Sequence, residues 1–155
     1  MAGPTVQVKT AAMAALLGVL AGLSFFTWGY AEGGSYFSND PRACANCHVM
    51  REYLDSWQKS GHHSHATCND CHTPVSLLPK YFAKAENGMR HSWKFTFQNY
   101  PERLRMTPMN RDNLQENCVR CHGDLVAHIA YRPGETGEDR LCVHCHSSVG
   151  HGEMR

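Results

Sequence analysis

The chain has 155 residues and a formal net charge of +1, so it holds one small domain plus whatever lies at its ends, and this near-neutral balance gives no case for nucleic-acid binding. Mean hydropathy is negative but unevenly spread, with one apolar block at the start and a polar, histidine-rich chain after it. Eight Cys and eleven His exceed what an ordinary core of this size uses, which makes cysteine spacing the first thing to explain.

Residues 1–10 read as a short N-terminal tail, and residues 11–31 as a transmembrane anchor helix. Ala11 to Tyr30 is twenty residues without a charge, and a helix of that length spans about 30 Å, the thickness of a bilayer's hydrocarbon core. Phe25, Phe26, Trp28 and Tyr30 gather at its C-terminal end, where an aromatic belt meets headgroups. A cleaved signal peptide is the competing reading, with Gly29 and Ala31 as small residues near a cut, but the apolar run is long for one. Lys9 alone precedes the span, so charge bias says little about orientation. Gly18 and Gly22 form a GxxxG pair that would let two helices approach, which leaves a homodimer contact open.

Residues 32–155 form the remaining domain. A short helix is expected over Arg51–Ser60, with Tyr53, Leu54 and Trp57 on one side and Gly61 as C-cap. A longer helix is expected from Pro79 to Gln98, with Pro101 marking a later break. Its Lys84, Gly88 and His91 fall at i, i+4 and i+7, on one face. Around it, Lys80, Arg90, Lys94, Arg103 and Arg105 mix with Leu, Phe, Trp and Tyr. Such a surface can lie against headgroups, although a solvated helix face has similar composition. Residues 133–137 read as a loop and 150–155 as a short tail.

All eight cysteines fall into one repeated form: Cys44-Ala-Asn-Cys47-His48, Cys68-Asn-Asp-Cys71-His72, Cys118-Val-Arg-Cys121-His122 and Cys142-Val-His-Cys145-His146. CxxCH is the c-type haem attachment pattern, in which two thiols add to the porphyrin vinyl groups and the adjacent His reaches the iron. Zinc sites and disulfides also use paired cysteines, but neither explains a His after the second Cys in all four cases with no cysteine left over. Four haem c groups are therefore expected. Their roughly eight propionate charges would make the surface more acidic than the sequence implies. Covalent haem attachment is normally completed outside the cytoplasm, and so points to an extracytoplasmic domain.

The first cysteines of the four sites lie 24, 50 and 24 residues apart, which suggests two dihaem halves from a duplication. At about 31 residues per site there is no room for a conventional core. The expected fold is mainly α with long loops, little or no sheet, one N-terminal transmembrane helix and a compact multihaem domain.

Beyond the motif histidines His48, His72, His122 and His146 there remain His62, His63, His65, His91, His128, His144 and His151. Low-spin haems need a second axial ligand, usually His or Met, so two or three of these seven are expected to serve. His144, between two haem-linked cysteines, is poorly placed, and at most two of His62, His63 and His65 can serve. On spacing, Met50 pads a haem pocket rather than binding iron.

With its anchor, four CxxCH sites, CxxCHxM at the first and CNDCHTP at the second, the chain resembles the NapC/NrfH family of quinol dehydrogenases, and most of all its NrfH-like members. The resemblance covers nearly the whole chain. It implies a protein of the cytoplasmic membrane that oxidises menaquinol and passes electrons to a periplasmic multihaem reductase, expected to be a nitrite reductase. It also implies that Met50 rather than His48 binds the first iron. His72 with His151 would serve the second haem and His122 with His62 the third. His146 would serve the fourth, with a second ligand from the partner or from His128. The family's lysine in the helix after the second site matches Lys84, a quinol contact. The family often carries an acid seven residues on; here His91 stands there, leaving open whether it binds the first iron or acts as a base, its ordinary pKa lying near neutrality. The competing functional classes are an electron relay without a quinol site and, less favoured, a terminal reductase.

Overall fold

The structure, a computed structural model, describes residues 3–46, 48–101, 104–127 and 141–152, and of His48 the backbone alone. Cys47, His128, the loop at 133–137 and the side chain of His48 thus lie outside the described residues. The chain divides into two compact units, Met1–Ser38 and Asn39–Arg155.

The first unit is a helix, α1 (Pro4–Tyr30), with a short 3-10 turn over Gly33–Phe37. Pro4 opens α1, where its missing N–H costs nothing and its fixed φ suits the helix. The helix begins seven residues before the uncharged run. Its 27 residues reach about 40 Å, beyond a bilayer's hydrocarbon core. It is the one helix among the described residues long and apolar enough to cross a membrane. The hydroxyls of Thr10 and Ser24 donate to the carbonyls of Val6 and Leu20 at 2.9 and 2.8 Å, so neither is left unpaired in an apolar setting. At its end Glu32 turns the chain at φ 50°, and Gly33 packs beneath the Trp28 ring. A Cβ on Gly33 would stand 2.4 Å from that ring, so only glycine fits.

The second unit is all helix and loop among its described residues: α2 (Pro41–Cys44), α3 (Arg51–Gln58), α4 (Cys68–His72), α5 (Leu77–Thr96), α6 (Pro108–Val126) and α7 (Cys142–Cys145). Local capping explains most of the starts. Asp40 accepts the Arg42 N–H at 2.9 Å, and the Arg42 guanidinium holds its carboxyl below the usual range. Asp70 accepts from the Thr67 backbone and hydroxyl at 2.8 and 2.7 Å, closing a capping box on α4. Thr107 caps α6, with Pro108 at the first position. Helix α3 ends at Gln58 with Lys59 in right-handed conformation, so the expected glycine C-cap at Gly61 does not form.

What this unit buries is mostly polar. Among the described residues the buried apolar side chains are Trp57 and Ala83, beside buried Asn69, Thr73, Gln115 and Asn117. These amides hold the CxxCH segments together. The Asn117 Nδ2 donates to the carbonyls of Cys71 at 3.0 Å and Thr73 at 2.9 Å, and Arg120 donates to Asn117 Oδ1 and to the Asp70 carbonyl. Gln115 Oε1 accepts the Cys142 N–H at 2.9 Å. Asn39 Oδ1 accepts from Asn69 at 2.9 Å and from Lys80 Nζ at 2.8 Å. Asn87 and Asn110 exchange a reciprocal amide pair between α5 and α6. Truncating Asn117 orphans two backbone carbonyls at once, so Asn117→Ala is expected to lower stability by about 2 kcal/mol in a denaturant melt of the haem-loaded protein.

Candidate functional site

The second, third and fourth cysteine motifs lie on helices, which sets their cysteines at i, i+3 on one face, and the first cysteine of the first motif ends a helix. Cys44 ends α2, α4 is the second motif itself, the third lies inside α6, and α7 spans Cys142–Cys145. Their thiols occupy the positions of the thioether sulfurs after haem attachment. The Cys68 thiol donates to Cys44, which draws Cys44 down to about 7 and pushes Cys68 up. Burial first, then the neighbouring charge of Cys142, pushes Cys118 up to about 11, and the Cys118 thiol also pairs with Cys142. Burial raises Cys71 too, with Asp70 and Cys121 adding to it. Thiol contacts thus join the first motif to the second and the third to the fourth. The 24-residue spacing recurs as the same contact, first cysteine to first cysteine, at both ends of the run.

The histidines come together in pairs. The rings of His72 and His151 lie 5.9 Å apart at 25°, and those of His62 and His122 lie 6.0 Å apart at 73°. Two imidazoles on opposite faces of one iron, each nitrogen about 2 Å from the metal, place their ring centres about 6 Å apart. Both pairs fit that requirement. Burial, then the neighbouring His151, takes His72 down to about 4, so it is a neutral ring with a free lone pair. Because a carbonyl only accepts, the 3.1 Å contact of His151 Nδ1 with the Tyr53 oxygen puts the proton on Nδ1 and leaves Nε2 free.

The other sequence candidates are spread out. His63 lies edge-on against Trp57 at 4.8 Å, and His65 is exposed in the following turn. His144 and His146 are exposed at α7, and Met50 is half-buried at the end of a 3-10 turn over His48–Met50. Lys84, half-buried on α5, is held below the ordinary amine range first by desolvation and then by Lys80, while Cys44 opposes both. His91, near the surface, is lowered by partial desolvation, with Glu86 opposing and Arg90 reinforcing it. Lys84 and His91 share one face of α5.

Sequence reasoning missed the residues that hold this arrangement. Asn117, Gln115, Asn39 and Ser56 carry no motif, and an isolated amide or hydroxyl in a sequence signals nothing. Only the position of Gln115 and Asn117 just ahead of Cys118 offered a hint.

Residues 5–155 match the NapC/NirT cytochrome c family, N-terminal region. The cytochrome c-type protein NrfH of Wolinella succinogenes is 34% identical over 146 residues, covering 88% of this chain and 82% of that protein. The cytochrome c nitrite reductase subunit NrfH of Nitratidesulfovibrio vulgaris is 30% identical over 123 residues, covering 79% and 74%. A crystal structure of the cytochrome c nitrite reductase NrfHA complex bound to the HQNO inhibitor aligns at TM-score 0.65 and 26% identity, over 90% of this chain and 92% of that one. Motifs, histidine pairs and relatives agree: the chain belongs to the NapC/NirT cytochrome c family, as a membrane-anchored electron-transfer protein with covalently bound haem c.

Proposed function

We propose that the chain is a tetrahaem quinol dehydrogenase. It takes electrons from menaquinol in the cytoplasmic membrane and hands them to a multihaem reductase, a nitrite reductase, on the periplasmic side. Residues 11–31 are the anchor, 32–155 the haem domain and 1–10 the tail. The observation that carries the reading is helix α5, which exposes an apolar stripe of Leu78, Phe82, Met89 and Trp93 and sets Lys84 and His91 together on a separate face. The NrfH relatives and the NrfHA complex support the partner, and its HQNO inhibitor supports a site that inhibitor can occupy.

The eight motif cysteines hold four haems. His72 with His151 would hold the second iron and His62 with His122 the third, a reading their ring separations support. Met50, half-buried just after the first motif, is the iron ligand there in preference to His48. His146 serves the fourth haem, with the opposite face left to His128 or to the partner. Bound haem supplies one-electron acceptance and transfer. Quinol must also lose two protons: the Lys84 ammonium would stabilise negative charge on the quinol oxygen, His91 would accept one proton, and the other would leave to water. A lowered pKa keeps His91 unprotonated, ready as a base, at neutral pH. Desolvation of Lys84 strengthens its pull on a developing anion.

The outer face of α5 suits a lipid-dissolved donor. Leu78, Phe82, Met89 and Trp93 form one helical stripe and are 81, 68, 76 and 64% exposed, while Ala83 on another face is buried. An apolar stripe with a Trp, beside basic residues, is the composition of a helix lying in the headgroup layer. A Gly18–Gly22 contact between two anchors would make the assembly dimeric; a Cβ at either glycine would meet nothing within 4 Å inside the chain, so that face is open to a second helix.

Anaerobic stopped-flow mixing with a menaquinol analogue tests the proposal. Fast reduction of several haems that HQNO blocks supports it; slow or HQNO-insensitive reduction of four-haem protein sinks it and leaves a relay between protein partners. Lys84→Ala is expected to slow that reduction about 100-fold. His91→Gln should slow it with the haem spectrum unaltered, whereas a changed low-spin spectrum would make His91 a ligand. In electron paramagnetic resonance, His62→Met is expected to alter one low-spin signal and His63→Ala none. Phe82→Asp with Trp93→Asp should slow reduction by membrane-dissolved quinol yet leave reduction by a water-soluble reductant untouched.

A further inference from the structure

Helix α3 carries no cysteine, histidine or methionine, yet it makes the contacts that hold His151 in place. We infer that α3 is a brace for the second haem's distal ligand, and that Ser56 is a positioning residue which sets the electron density of that imidazole. The inference rests on the reading of His151 as the partner of His72.

Three contacts converge. The Tyr53 carbonyl accepts the Nδ1–H of His151 at 3.1 Å. The Ser56 hydroxyl donates to the carbonyl of the same residue. The Tyr53 ring meets the imidazole edge-on, with centres 5.3 Å apart at 84°. Backbone, ring and side chain of His151 are thus all held by one turn of α3, across 95 to 98 residues of sequence. The helix itself is docked by buried Trp57, whose Nε1 donates to the Ala66 carbonyl at 3.1 Å. On the other side, Gly152 leaves His151 at φ +61°, and a Cβ there would come within 3.2 Å of the Ser56 oxygen. Glycine adopts this left-handed φ without setting a Cβ against the hydroxyl.

The chemical consequence follows from the Nδ1 contact. An imidazole that gives its N–H to a carbonyl is a more electron-rich ligand at Nε2, and stronger donation favours the oxidised iron. Ser56 keeps that contact in register by fixing the main chain one bond series away. Without its hydroxyl, His151 is tied to α3 through the ring alone, and the ring is free to swing off the Tyr53 oxygen.

Redox titration and electron paramagnetic resonance of the detergent-solubilised, haem-loaded protein test this. Ser56→Ala is expected to keep the wild-type haem content and to raise the midpoint potential of one haem, with a shift of one low-spin signal; Ser56→Thr should restore both. Gly152→Ala, which forces an L side chain into a left-handed turn against Ser56, is expected to shift the same haem the same way and serves if Ser56→Ala fails to mature. Potentials and signals superimposable on wild type in Ser56→Ala, or in Gly152→Ala in its stead, overturn the brace. His151→Ala separates the underlying reading: if every haem signal survives it unchanged, His151 is no ligand. If it removes a low-spin signal while the brace variants do nothing, the ligand stands and only the brace falls.

Discussion

Two side-chain amides on one turn of α6 are the constraint on which the haem domain depends. Gln115 and Asn117 are two positions apart, and two steps of an α-helix rotate a side chain by roughly 200°. They therefore reach to different sides, Asn117 to the backbone of the second motif and Gln115 to the start of the fourth, just before the third motif begins in the same helix. Hydrophobic packing has little directionality, and a domain whose apolar surface is largely porphyrin cannot use it to fix the angle between motifs. A buried amide bonded to two carbonyls can, because any other arrangement leaves desolvated polar groups unpaired.

The duplication suggested by the 24-residue spacings has a structural meaning beyond repetition. Each half brings its two first cysteines together in the same way. Both close histidine pairs, however, cross between halves: His72 with His151, and His62 with His122. The tail past the fourth motif returns to the first half, and α3 receives it. An interlocked pair of halves binds the order of the centres into one cooperative unit, which suits a chain that must move electrons in one direction.

Helix α5 reverses the pattern expected of a water-soluble protein. Its Lys80 and Asn87 bond Asn39 and Asn110, while Leu78, Phe82, Met89 and Trp93 are exposed. In water that arrangement exposes apolar area at a cost of about 25 cal/mol per Å². Against a lipid surface that cost falls away. The fold and the proposed donor are thus consistent at the level of a single helix.

Much of this was legible in the residues alone. Eight cysteines in four CxxCH units specify covalent haem because the chemistry needs those groups at that spacing, and a charge-free run ending in aromatics specifies a span because bilayer thickness is fixed. The helices at α3 and α5 followed from prolines and apolar periodicity, with ends off by about two residues because fraying and capping are local. The Gly61 cap failed for that reason. Which of His62, His63 and His65 faces another histidine was not legible: the three lie in an irregular turn with no fixed periodicity, and only the tertiary structure sets His63 against Trp57 and His62 against His122. The roles of Asn117, Gln115 and Ser56 were equally hidden. Local chemistry wrote the attachment sites and the anchor into the sequence itself. The pairing of distant ligands, and the amides and hydroxyl that hold them, was decided by tertiary structure, because each depends on contacts between segments 27 to 98 residues apart.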